Sequence, residues 1–176
     1  MIIREYTDED ASAVGRLIAD TYTDFNLGFA STEELGRLLG PFRHARSDDP
    51  AHQEAIARVI RSEMVYVADD AGDIVGVLRG RKERLGSLFV RGDHHRRGIG
   101  RRLVELFESE CRRREMTVIR VAATEFGVPF YLAMGYKRST GLRNSRSFEG
   151  RGLPVQPMRK NLARFWLAPE SLSHMK

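Results

Sequence analysis

One stretch constrains this chain more than any other. An apolar, strand-like run from Leu85 to Val90 leads into the loop Arg91-Gly92-Asp93-His94-His95-Arg96-Arg97, and Gly98-Ile99-Gly100 then opens an amphipathic helical pattern. A strand feeding such a helix calls for a sheet with helices packed on its face, an α/β or α+β architecture. The same stretch carries chemistry. The first amides of a helix lack internal partners and the peptide dipoles favour an anion there, while glycines let a ligand approach the backbone closely. Arg96, Arg97, Arg101 and Arg102 surround the glycine pair, which points to a phosphate group rather than a diffuse nucleic-acid face. Gly-x-Gly alone is weak evidence. A P-loop needs Gly-Lys-Ser/Thr where this chain has Gly-Arg-Arg, and the dinucleotide fingerprint needs a third glycine and a downstream acid that are not in place.

The flanking sequence supplies the rest of the architecture. Ile2 to Tyr6 predicts an opening strand, followed by cap-type residues Thr7-Asp8-Glu9-Asp10 and a helix whose apolar face is Val14, Leu17, Ile18, Tyr22 and Phe25. Ser31-Thr32-Glu33-Glu34 starts a second helix that Gly40-Pro41 stops, and Ala55, Ile56, Val59 and Ile60 mark a third after a polar loop at residues 44 to 50. From Met64 the period changes to two, giving a hairpin around Asp69-Asp70-Ala71-Gly72-Asp73. The central helix runs to about Arg114 with Ile99, Leu103, Leu106, Phe107 and Cys111 on one side. Thr117 to Ala122 follows as a buried strand, then a short helix that ends at Gly135, then strands at Tyr136 to Thr140 and Leu153 to Asn161. Residues 141 to 152 read as a mobile hairpin loop, and Pro154 and Pro157 place the last strand at an edge or interrupt it. Phe165 and Trp166 suggest that the tail packs.

Composition narrows the class. The chain has 176 residues, 41% hydrophobic and 30% charged, so one domain spanning 1–176 with one core is expected. No apolar run approaches the roughly 20 residues of a membrane span, and Met-Ile-Ile-Arg-Glu-Tyr carries no signal core, which predicts a cytoplasmic protein. The lone Cys111 reads as a core residue of the helix, and nothing around it has metal-ligand spacing. The net charge of +5 is concentrated around the glycine pair and at Arg112, Arg113 and Arg114.

Leu88-Phe89-Val90 followed by His95-Arg96-Arg97-Gly98-Ile99-Gly100-Arg101, and about thirty residues later Phe130-Tyr131-Leu132-Ala133-Met134-Gly135-Tyr136, resembles the GNAT superfamily of acyl-CoA N-acyltransferases. The likeness is specific over residues 64 to 140, continues weakly to Pro157-Met158-Arg159-Lys160, and covers residues 15 to 60 only as a helical region. It implies a mixed, mostly antiparallel sheet of about six to seven strands flanked by helices, with a splayed central strand pair. It also implies acetyl-CoA as co-substrate, no metal, transfer of the acetyl group to a primary amine of a small molecule or peptide in a ternary complex, and a homodimer as one possible assembly.

By the same resemblance the backbone of Arg96, Arg97, Gly98, Ile99, Gly100 and Arg101 holds the CoA pyrophosphate. Leu88, Phe89 and Val90 line the pantetheine arm, with an amide near Val90 polarising the thioester carbonyl, and Phe130 belongs to the cofactor site. His95 stands where the family carries Gln or Arg. Tyr131 matches the tyrosine that protonates the departing thiolate, and Glu83 lies near where a carboxylate base often sits. A solvated charge pair within Arg81-Lys82-Glu83-Arg84 is the competing reading of Glu83, and an aromatic packing residue that of Tyr131. His94 and His95 have better pKa values for a base, but their position points them toward phosphate. A nucleic-acid-binding module and a catalytically idle acyl-CoA sensor stay open as alternatives. No motif identifies the acceptor.

Overall fold

The computed structural model describes residues 1–162, so the segment with Phe165 and Trp166 lies outside the described residues. Its elements run β1 (Ile2–Glu5), α1 (Ala11–Asn26), α2 (Thr32–Leu39), α3 (Pro50–Ile60), β2 (Met64–Asp70), β3 (Asp73–Arg81), β4 (Arg84–Val90), α4 (Ile99–Arg113), β5 (Val118–Ala123), α5 (Val128–Ala133), β6 (Lys137–Arg138), β7 (Arg143–Ser147) and β8 (Gly150–Asn161). Local chemistry sets several boundaries. Ser31 and Glu34 form a reciprocal capping box at the start of α2, which stops where Gly40 takes φ +54°. Asp49 accepts from the Ala51 amide ahead of Pro50, whose missing N–H costs nothing in the first turn of α3. The far end of α3 is capped from the sheet, since the half-buried Arg79 guanidinium donates to the carbonyls of Val59 and Ile60.

The strands form a mixed sheet in the order β1-β2-β3-β4-β5-β8-β6, with β7 added to the other half of β8. All pairings are antiparallel except β4 with β5. That parallel ladder is short: only Arg84↔Arg120 and Leu85↔Val121 are in register, and from Gly86 onward the two strands part. This is the splayed pair, open toward Val90.

Two apolar clusters sandwich the sheet. On one face Val14, Ile18, Tyr22, Leu38, Phe42, Ile56 and Ile60 cover Val65, Val67, Val77 and Phe89. On the other, Ile99, Leu103, Phe107 and Cys111 of α4 cover Leu78, Leu85, Ile119, Val121 and Met158. Each such fully buried side chain contributes roughly 1.5–3 kcal/mol of transfer free energy. Cys111 is fully buried, and burial pushes its thiol up to about 11, which suits a packing role. Gly80 is required under α4, where any Cβ would enter the Phe107 ring.

The structure corrects the sequence reading at four places. Leu106 is exposed rather than part of the inner face of α4; Val104 and Glu108 turn inward, the Glu108 carboxylate satisfied by Lys160 Nζ at 2.8 Å and Arg112 at 3.3 Å. The predicted strand at 136–140 shrinks to Lys137–Arg138. Residues 141 to 152 do form the expected hairpin, but as a paired strand rather than a loop, because Arg143–Ser147 pairs with β8. Its polar sequence hides this, and the anchor is tertiary: Ser147 Oγ donates to the Leu38 carbonyl at 2.9 Å and receives the Tyr22 hydroxyl at 2.5 Å. Finally, β8 is continuous through Pro154 and Pro157: the half from Gln156 onward lies between β5 and β6, whereas Pro154 stands in the half paired with β7 alone, at an edge as expected. The Pro157 carbonyl accepts from Ser139, so its missing N–H faces the gap between β6 and β7 and spares the β5 ladder.

Candidate active site

The link from β4 to α4 is built around left-handed backbone. Arg96 has φ +60° and Gly98, the residue that caps α4, has φ +78°. Left-handed residues alternating with ordinary ones turn successive amides toward one concavity. Among the described residues the amides of Arg96 through Arg101 find no backbone or side-chain acceptor, and the first regular bond of the helix runs from Arg102 to the Gly98 carbonyl at 3.0 Å. A Cβ built on Gly98 meets nothing within 4 Å, so the space in front of these donors is open. Gly100 is a packing glycine, since its Cβ would lie 3.3 Å from the Phe130 ring. The side chains of Arg96, Arg97 and Arg101 are exposed around the concavity, while that of Ile99 is buried under the sheet and leaves only its amide to the site.

Beside this concavity lies the slot between β4 and β5, and the register shows what lines it. Val90 stands opposite Gly76, and the flanking bond runs from the Arg91 amide to the Val75 carbonyl at 2.9 Å. Val90 therefore belongs to a non-hydrogen-bonded pair, whose own N–H and C=O point away from β3. They point to the side β5 has vacated. Leu88, opposite Leu78, has the same orientation two residues back. Phe89 instead projects its ring into the α1 side of the core, 5.4 Å from the Tyr22 ring.

A family model for the acetyltransferase (GNAT) domain matches residues 27–162. The chain belongs to the GNAT acetyltransferases. Solved structures share the fold at low identity: a GCN5-related N-acetyltransferase from Rhodopseudomonas palustris (21% identical, TM-score 0.72, covering 92% of this chain and 95% of that one), and the PaiA N-acetyltransferase of Thermoplasma acidophilum in complex with coenzyme A (16%, TM-score 0.69, 92% and 98%). A ribosomal-protein-alanine N-acetyltransferase from Brucella melitensis is a third (21%, TM-score 0.58, 92% and 100%). No curated protein sequence matches the chain.

In this GNAT chain the side chain of His95 is turned away from the concavity. Its Nε2 lies 2.7 Å from the Val90 carbonyl; a carbonyl only accepts, so Nε2 carries the hydrogen. The imidazole packs 4.7 Å from the Phe25 ring at the end of α1, and Phe25 stacks on Phe126 at 5.0 Å. His94 is not directed at phosphate either. It is buried, with Nδ1 2.6 Å from Asp93 and Nε2 3.7 Å from Asp70 at the β2–β3 turn.

Tyr131 on α5 is buried, edge-on to Phe130 at 5.2 Å and to Tyr136 at 5.4 Å, and burial raises its phenol above the ordinary tyrosine value. It packs in the α4-side cluster with Phe130, near Gly100 and the slot. Glu83 is not brought to this site. It occupies the turn between β3 and β4, where its carbonyl accepts from the Arg120 amide at 2.8 Å. This is the closed end of the slot, about 20 Å along the strand from Val90.

The sequence reading missed the collar at the slot mouth. Phe25, Asn26 and Phe126 reach it from α1 and from the turn before α5, and Thr124 Oγ1 meets Asn26 Oδ1. Phe25 was legible as part of an apolar stripe, but only the packing of α1 on the sheet puts it against His95. A cleft of ≈ 640 Å³ lies elsewhere, between the start of α1 and α3, and is lined by Asp8, Glu54, Arg46 and Arg61. Those side chains already satisfy one another or Asp20 in ion pairs, whereas the donors at Arg96 to Arg101 have no acceptor among the described residues.

Proposed function

We propose that this GNAT chain transfers an acetyl group from acetyl-CoA to a primary amine by direct attack within a ternary complex. The observation that carries the reading is the run of unpartnered amides from Arg96 to Arg101 beside a slot into which Val90 turns its own N–H. Acetyl-CoA supplies an activated acyl thioester. The amides would hold its diphosphate, with Arg96, Arg97 and Arg101 adding charge at the rim. The Leu88 and Val90 backbone would align the arm as a substitute strand where β5 has departed. His95 occupies the slot-facing Val90 carbonyl and leaves the Val90 N–H as the free donor, placed to stabilise oxyanion character. Tyr131, kept protonated by its buried setting, would give its proton to the departing sulfur.

Glu83 has no role in this reading, since it lies at the far end of β4 from Val90. The acceptor would enter past Phe25, Asn26 and Phe126, as a small amine or a peptide N-terminus. Heat unfolding with and without acetyl-CoA tests cofactor binding, since a ligand at about 100 times its Kd stabilises by about 2.7 kcal/mol. Thiol release over a panel of amines tests transfer. An unchanged unfolding midpoint at saturating acetyl-CoA would defeat the reading.

A further inference from the structure

The strand register sets cations in a row. Arg84 of β4 is registered with Arg120 of β5, Arg120 with Arg159 of β8, and Arg159 with Lys137 of β6. Residues in direct register share a face. Their neighbours Leu85, Ile119, Val121 and Met158 pack beneath α4, so the cations project from the opposite face. All four are exposed, and among the described residues none has a carboxylate partner. Arg81, registered with Arg84, extends the row but is paired with Glu63 at 3.1 Å. At the strand spacing of about 4.8 Å the four unpaired positions span about 14 Å.

Like charges placed directly opposite one another repel, and exposed positions make no packing demand for arginine or lysine. The row lies at the closed end of the slot, away from the amide concavity, so it is not an extension of the diphosphate site. A two-fold axis passing through the row would set the same cations against each other, so the row does not favour a second copy centred on it.

We propose that this row docks an acidic helix of a partner protein. Carboxylates repeating once per helical turn are about 5.4 Å apart, close to the spacing of the strands. Arginine forks donate to carboxylates in bidentate pairs. The exposed residue beside the row on the same face, Ala122, is small and apolar and offers no aromatic ring on which nucleic-acid bases would stack. The inference rests on sheet register and is independent of the acyltransferase reading.

The test is fluorescence anisotropy on the full chain with a labelled, lactam-stapled helical peptide carrying one glutamate per turn on one face. Binding is expected in low salt, weakening about tenfold as ionic strength rises, and falling about tenfold in Arg120→Glu/Arg159→Glu. The unfolding midpoint and any acetyl-CoA-induced shift should persist in that variant. Should the double reversal fail to fold, Arg120→Gln alone is expected to weaken binding about threefold. No binding in low salt overturns the proposal, as does undiminished binding by the variants or equal binding of a proline-interrupted peptide of the same charge. Tighter binding of a single-stranded oligonucleotide through the same arginines would reassign the face to nucleic acid.

Discussion

Replacing His95 with phenylalanine isolates one hydrogen bond. Phenylalanine keeps a planar ring against Phe25, now 4.7 Å away, but removes the Nε2 donor that sits 2.7 Å from the Val90 carbonyl. That carbonyl faces the slot because Val90 is in a non-hydrogen-bonded pair with Gly76. Leaving a half-buried acceptor unpaired costs about 1–3 kcal/mol. If the loss falls on the geometry of the Val90 peptide, turnover drops by about 5- to 150-fold. Binding of CoA through its diphosphate depends on amides further along the loop and should change little. Steady-state thiol release, with kcat and KM for acetyl-CoA separated, reads the effect. His95→Gln retains a donor and should recover most of the loss. Wild-type turnover in the phenylalanine variant would refute the reasoning, and a glutamine variant as impaired as phenylalanine would show that His95 acts through something other than this bond.

Three further outcomes are expected. Gly98→Val forces a β-branched residue to φ +78° and fills the open space before the amides, so the stabilisation by acetyl-CoA in heat unfolding should largely disappear, at a cost of about 1–2 kcal/mol in the free protein. Tyr131→Phe should lower turnover while leaving that stabilisation intact; because burial raises the phenol, the kcat profile of the native protein should show no loss from its deprotonation up to about pH 10. Asp10 accepts from Arg4 at 2.8 Å twice and from the Thr7 amide at 2.9 Å, and these bonds, Arg4 foremost, hold its carboxyl below the ordinary aspartate value. A lowered folded pKa contributes stability that is complete above about pH 4 and lost as pH falls through the folded value. Asp10→Asn should therefore lower the unfolding midpoint at pH 7 and flatten the acid limb of the stability curve, as chemical denaturation across pH would show.

Much of the scaffold was legible because it rests on local periodicity and punctuation. The hairpin of β2 and β3, the apolar stripe of α1 and the glycine-started α4 each announce themselves through side-chain spacing within one element. The amide concavity was legible for the same reason: a helix start after Gly98 leaves donors unmet whatever surrounds it. Strand β7 was not, because Arg143 to Ser147 carries no apolar alternation and is held by Tyr22 and Leu38, which are far away in sequence. Leu106 and Glu108 exchanged expected roles because the rotation of α4 about its axis is decided by the sheet beneath it and by Lys160 on β8.

The residue sequence alone thus determined most of the segments that become strands and helices, β7 excepted, and where the backbone would present bare amides, since these depend on interactions within a few residues. Tertiary structure decided the chemistry around them. It opened the slot by ending the β4–β5 ladder at Leu85, turned His95 onto the Val90 carbonyl, moved Glu83 to the closed end and aligned cations across neighbouring strands. Register and splay depend on which strands meet and for how long, and pairings between distant segments leave no trace in the spacing of either one.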